Sequence, residues 1–164
     1  MSNDSLQLTQ VPKIQTAMLI RKPPSDVFEA IVNPEITAKF WFTNSTGRLG
    51  PGARVQWAWE MYNISVPIRV EEFEKDSRLL IEMGNAPDSA TVEWRFERRD
   101  GEMTYVIVTI LEAGFTFKSG DDMCAWALDQ MGGYAQVLAA LKALLEHNVV
   151  LSLVRDAWPD GHPG

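Results

Sequence analysis

The sequence predicts an α+β fold: a curved antiparallel sheet of about six or seven strands wrapped on one long C-terminal helix, with two short helices after the first strand. Three observations carry this expectation. Apolar and polar residues alternate with period two from Gly47 to about Leu111, as in strands with one buried and one wet face. A helical stretch, "WALDQMGGYAQVLAALKALLEHN", follows from Trp126 to Asn148. Ahead of both, one strand leads into two helical pieces punctuated by proline.

"IQTAMLIRK" opens the pattern, with Ile14, Thr16, Met18 and Ile20 alternating against Gln15, Ala17, Leu19 and Arg21. Pro23-Pro24 break this strand. "SDVFEAIV" then reads as a short helix, with Ser25 or Asp26 as N-cap and Glu29 completing a capping-box pattern. Asn33-Pro34 stop it and start "PEITAKFWF", whose proline suits a first helical position. In "ARVQWAWEM" the inward face is Val55, Trp57, Trp59 and Met61; "ISVPIRVEEFE" adds Ile64, Val66, Ile68 and Val70. "SRLLIEMG" contributes Leu79, Ile81 and Met83, and "ATVEWRFERR" contributes Val92, Trp94 and Phe96. Turn signals separate the strands at Tyr62-Asn63, Lys75-Asp76, Asn85 to Ser89 and Asp100-Gly101, the last being the strongest hairpin cue. "MTYVIVTILE" is apolar on both faces, which marks a central strand and leaves its inward side unassigned.

The long helix is capped at its start by Ser119-x-x-Asp122 and at its end by Asn148. Its apolar stripe includes Met123, Trp126, Ala127, Met131, Tyr134, Val137, Leu138, Leu141, Leu144 and Leu145. Gly132 and Gly133 interrupt it, each at about 1 kcal/mol relative to alanine. They fall on the back or flank of the stripe, so close packing is not their main use. Two readings remain: a bend that lets a helix of roughly 37 Å follow a twisted sheet, or a break into two helices. His147, near the helix end, interacts favourably with the dipole when protonated.

Composition narrows the function classes. A chain of 164 residues with net charge −7 has neither the size of several domains nor the clustered cations of a nucleic-acid or anionic-membrane surface. Residues 14–148 are expected to form one domain, with an N-terminal arm over 1–13 and a C-terminal tail over 149–164. No apolar run is long enough for a membrane span. "MSNDSLQLTQ" has neither a basic start nor an apolar run, so no secretory leader is expected. The single cysteine, Cys124, suits a reducing cytosol, and a cytoplasmic location is expected. His147, His162 and Cys124 form no metal-ligand spacing and no nucleophile–base arrangement. "GRLGPG" leads into a strand and reads as a turn, not a phosphate cradle. No metal and no cofactor are therefore expected.

The inward face is rich in rings. Trp57 and Trp59 project from one face about 7 Å apart, Trp94 joins them from another strand, and Trp41 and Phe42 close one end. Gln130 is out of character on the inward side of the helix, where burial without a partner costs roughly 1–3 kcal/mol. Either it bonds a backbone group or it faces a cavity. The rings likewise either fill a core or wall a pocket. On the pocket reading the candidate ligand-binding residues are Trp41, Trp57, Trp59, Met61, Ile81, Trp94, Trp126, Gln130, Met131 and Tyr134.

"PPSDVFEAIVNPEITAKFWF", "GRLGPGARVQWAWEMY" and "GGYAQVLAALKALLEHNVVLSLVRDAWPDG", in this order, resemble a bacterial subgroup of the SRPBCC (START-like, helix-grip) superfamily. Members of that subgroup are homologues of the C-terminal domain of the heat-shock-protein-90 ATPase activator. The resemblance covers about residues 14–161. It implies the helix-grip fold and a deep cavity between sheet and long helix, in a superfamily of lipid and hormone carriers, polyketide cyclases and the chaperone activator.

Together these observations point to a non-catalytic protein that binds a small hydrophobic or aromatic molecule between sheet and helix. One alternative is a cyclase- or dehydratase-type enzyme for an aromatic or polyketide-like substrate, with Tyr134 and Gln130 as hydrogen-bond donors. Glu60 or Glu93 would be its base only if its strand turned that face inward. Another is a chaperone-associated interaction domain, or a homodimer formed through the "VVLSLV" tail.

Overall fold

The computed structural model describes residue 8 and residues 10–162; most of the arm predicted over 1–13 lies outside the described residues. Strand β1 (Ile14–Ile20) is followed by helices α1 (Pro24–Val32) and α2 (Pro34–Thr37). Strands β2 (Asn44–Ser45), β3 (Arg54–Trp59), β4 (Ile64–Glu74), β5 (Arg78–Asn85), β6 (Asp88–Arg99) and β7 (Met103–Ala113) come next. Helix α3 (Gly120–His147) and the short α4 (Leu153–Asp156) complete the chain. The strands form one antiparallel sheet in the order β1-β7-β6-β5-β4-β3-β2. Every connection from β2 to β7 is therefore a hairpin, and only β1 crosses over, to pair with β7. That crossing carries α1 and α2 with it.

Alternation survives in the register. Trp94 stands between Leu79 of β5 and Val108 of β7, and Val70 stands opposite Ile81. The same register resolves β7: its inward residues are Thr104, Val106 and Val108, all buried. The hairpin cues mark real reversals. Asn63, Asp76, Gly101 and Glu102 all have positive φ at those turns. A register shift between Val70 and Glu72 changes the inward residue from Val70 to Phe73, which meets Phe28 of α1 edge-on at 5.2 Å.

Several local expectations are corrected. The N-cap of α1 is Pro23, with no side-chain cap, because Pro24 already has the backbone angle of a first helical residue. Ser25 and Asp26 therefore sit inside the first turn, and Glu29 pairs with Arg48 at 2.6 Å instead of closing a capping box. The second helix ends at Thr37 rather than Phe42. Phe40, Trp41 and Phe42 are all buried, and three consecutive residues cannot share one helical face. Leaving the helix lets all three rings turn inward. Met61 does not continue β3; it lies in a 3-10 turn, Glu60–Tyr62. Ile64 keeps 42% of its surface. The two-residue strand β2 was not anticipated.

Helix α3 is continuous through Gly132 and Gly133, so the two-helix reading is set aside. Both expected caps are present: the Ser119 hydroxyl accepts from the Asp122 backbone N–H at 3.1 Å, and Asn148 has φ 53°. His147 lies in the last turn. The back half of the helix lies on β1, where Lys142 Nζ donates to the Leu19 carbonyl at 2.7 Å and to Glu146 at 2.6 Å. The Arg21 backbone N–H donates to Glu146 at 2.9 Å. Burial pushes the Glu146 carboxyl up, but the Lys142 and Arg21 donors outweigh it and hold it below its ordinary value of 4.5. A carboxylate depressed by folding stabilises fully above its unfolded pKa and loses that contribution as pH falls through the folded one. Glu146→Gln is therefore expected to cost about 1–2 kcal/mol at neutral pH. In urea unfolding at stepped pH, the difference from the parent chain should close once pH drops well below 4.5.

Candidate functional site

A groove of about 630 Å³ opens between the front half of α3, the β3–β5 end of the sheet and the chain after α3. Its origin is a contrast within one helix. From Tyr134 onward the stripe carries Val137, Leu138, Leu141 and Leu144, all buried against the core. In front of it stand Asp129, Gln130, Gly132 and Gly133, together with Leu128, which keeps 72% of its surface; none of them fills the space toward the sheet. A Cβ at either glycine would meet no atom within 4 Å. Close packing demands glycine elsewhere: at Gly114 a Cβ would stand 2.1 Å from the Pro87 carbonyl oxygen. Gly132 and Gly133 instead leave space, and that space is groove.

The inner wall is aromatic. Trp41 is its hub, with ring centroids 4.9 Å from Trp57, 6.3 Å from Trp59, 5.5 Å from Trp94 and 5.8 Å from Tyr134. All but the tilted Trp94 pair meet edge-to-face, and such pairs add about 0.5–1.5 kcal/mol each beyond burial, so this wall is preformed and stiff. Of the residues predicted for the site, Trp41, Trp59, Gln130 and Tyr134 line the groove together. Gln130 is half-buried, and its side chain makes no hydrogen bond within the described residues.

The remaining candidates lie elsewhere. Trp57 and Trp94 form a layer behind the wall and are 1% and 0% exposed; the buried Trp94 indole Nε1 has no hydrogen-bond partner among the described residues. Ile81 is buried in the sheet, and its strand neighbour Met83 reaches the groove instead. Trp126 packs against Phe115 and Phe117 at 5.5 and 5.4 Å, drawn to the strand-to-helix connection by those rings. Met131 belongs to the stripe by periodicity yet stays 37% exposed, because the front half of α3 does not lie on the sheet. Met61 packs at the edge of the core from its 3-10 turn.

Polar groups are sparse and placed at the edges. Burial pushes the Tyr134 hydroxyl far above the ordinary tyrosine value, so it stays protonated, and it points at the Met83 sulfur at 3.4 Å. Burial also raises Tyr62, with the nearby Trp158 backbone N–H opposing the shift. Asp129 and His162 approach to 3.1 Å. Glu93 is held by Arg78 at 2.6 Å, Arg78 also pairs with Glu72, and Glu60 is exposed in its turn; neither candidate base lines the groove. Among the described residues no three His, Cys, Asp or Glu side chains cluster as a metal site would need. Nor is any helix there long and apolar enough to cross a membrane.

Sequence reasoning missed Tyr62, Gln136, Val154, Trp158 and His162, all of which line the groove. Val154, Trp158 and His162 lie in the tail, and no periodicity predicts where a tail will return. The glycine pair did carry a signal, since its cost to the helix required a reason.

The model of the family described as "Activator of Hsp90 ATPase homolog 1-like protein" matches residues 21–146. Among solved structures, the protein SSP2350 from Staphylococcus saprophyticus is 28% identical with a TM-score of 0.71, covering 85% of this chain and 96% of that one. The Aha1 dimer from Colwellia psychrerythraea is 16% identical with a TM-score of 0.69, covering 83% of this chain and 97% of that one. CalU16 from Micromonospora echinospora is 14% identical with a TM-score of 0.60, covering 90% and 82%. Among curated proteins, none matches the chain.

Proposed function

This chain belongs to the Activator of Hsp90 ATPase homolog 1-like family, and from that premise we propose that it binds one small, mostly apolar molecule in the groove between sheet and α3. The observation that carries the reading is the groove itself. It has the size of a small-molecule site, and Trp41, Trp59 and Tyr134 line it together with a half-buried Gln130 that has no side-chain hydrogen bond among the described residues. Apolar walls with a few polar handles are what such sites share. The preformed ring wall favours flat or aromatic ligands, which stack on it without forcing side chains to reorder. Gln130 offers both a donor and an acceptor for one polar group on such a ligand. Binding is preferred to the cyclase-type reading because its expected bases, Glu60 and Glu93, do not face the groove, while the Asp129 and His162 side chains that line it pair with each other at 3.1 Å.

N-phenyl-1-naphthylamine, a neutral aromatic probe, tests this directly. Its emission is expected to rise saturably at one probe per chain, with a matching loss of tryptophan emission from Trp41 and Trp59. A neutral apolar probe in a groove of this kind should bind in roughly the micromolar range. Absence of saturation, or binding that persists unchanged when the groove is filled by substitution, would overturn the reading.

A further inference from the structure

We propose that residues 149–162 form a strap that retains the bound molecule, with Trp158 as a further ligand-contacting residue. This rests on the groove reading and deepens it. After α3 the chain reverses through two residues of positive φ, Asn148 and Ser152. α4 then lays Leu153 and Val154 against the edge of the core. From there Val154, Trp158 and His162 face the same groove as Trp41 and Trp59, from the outer side. The strap is therefore one wall of the site.

Its attachments among the described residues are identifiable. The Tyr62 hydroxyl lies within hydrogen-bond distance of two successive carbonyls, donating to Val154 at 2.5 Å and reaching Arg155 at 3.1 Å. His162 Nε2 meets Asp129 of α3 at 3.1 Å, and the Trp158 and His162 rings stand 5.0 Å apart edge-on. Along residues 149–162 every side chain is exposed or half-buried, and Trp158 keeps 38% of its surface. A segment with so little buried area opens at lower cost than the sheet beneath it. The match to the family model ends at residue 146, before this wall begins. The rings of the inner wall then set which molecules fit, and the strap sets how long they stay.

Stopped-flow displacement of N-phenyl-1-naphthylamine from the full-length chain tests the proposal, with Trp158→Ala and Tyr62→Phe as separate variants. Each is expected to raise the dissociation rate by about tenfold, with a smaller change in association, as expected when interface contacts act mainly on release. Hydrogen exchange on the unaltered chain gives an independent readout: probe binding should slow exchange of backbone amides 153–158. Dissociation rates within twofold of the parent in both variants, or exchange there unaffected by probe, would overturn the strap while leaving the groove reading intact. No probe binding to the parent chain would overturn both.

Discussion

Gly133→Leu is expected to remove saturable probe binding while leaving the fold intact and the chain more stable. Residues three and four apart on a helix are neighbours, and Gly133 has Asp129 and Gln130 on one side and Gln136 and Val137 on the other. All four line the groove, so Gly133 lies at the centre of the helical wall. A Cβ there meets nothing within 4 Å, which leaves a leucine side chain only the groove to enter. The loss of affinity should be at least tenfold, or about 1.4 kcal/mol. Leucine is also the better helix former by nearly 1 kcal/mol, which should raise the melting temperature by about 2–4 °C for a domain of this size. Isothermal titration with the probe and a thermal melt on the same sample read both effects. Weaker binding with higher stability separates a glycine kept for space from one kept for packing. Unchanged affinity would mean that the molecule sits elsewhere, and a lowered melting temperature would mean that the space is not open.

Trp57→Ala should have the opposite signature, with stability collapsing first. Trp57 is 1% exposed and stands 4.7 Å from Phe42 and 4.9 Å from Trp41, ring centre to ring centre. Truncating a buried indole costs about 3–5 kcal/mol through lost burial and the cavity left behind. That is a large part of the 5–15 kcal/mol by which most domains are stable. Urea unfolding should show an unchanged slope and a midpoint lowered by that loss divided by the slope. The damage should spread to the groove, because Trp41 rests on Trp57 and carries the inner wall. A loss below about 1 kcal/mol would show that this ring layer is not packed as described.

These two residues also divide what was readable from what was not. Both tryptophans of "WAW" were expected to face inward, and both do. Only the packing of Trp41 between them puts Trp59 on the groove and Trp57 behind it. The strand pattern Val92, Trp94 and Phe96, the reversal at Asp100-Gly101 and the caps Ser119 and Asn148 were legible because each depends on a few consecutive residues. The bulge beyond Val70, the short second helix and the two-residue β2 were not. They arise where distant side chains compete for one interior, as Phe40, Trp41 and Phe42 do. The candidate site was half legible. Its sheet and helix rings carried a periodic signal, whereas Tyr62, Trp158 and His162 meet only because the tail folds back.

The sequence by itself determined the antiparallel strands, the first strand with two short helices after it, the capped long helix and the inward set of aromatic rings. Period, turn chemistry and capping act over a few residues, so the chain states them directly. Tertiary structure alone decided that the front of that helix stands off the sheet, that two glycines keep the gap open and that the last segment walls it. A groove is space left between surfaces far apart along the chain, and its width depends on how all of them pack at once.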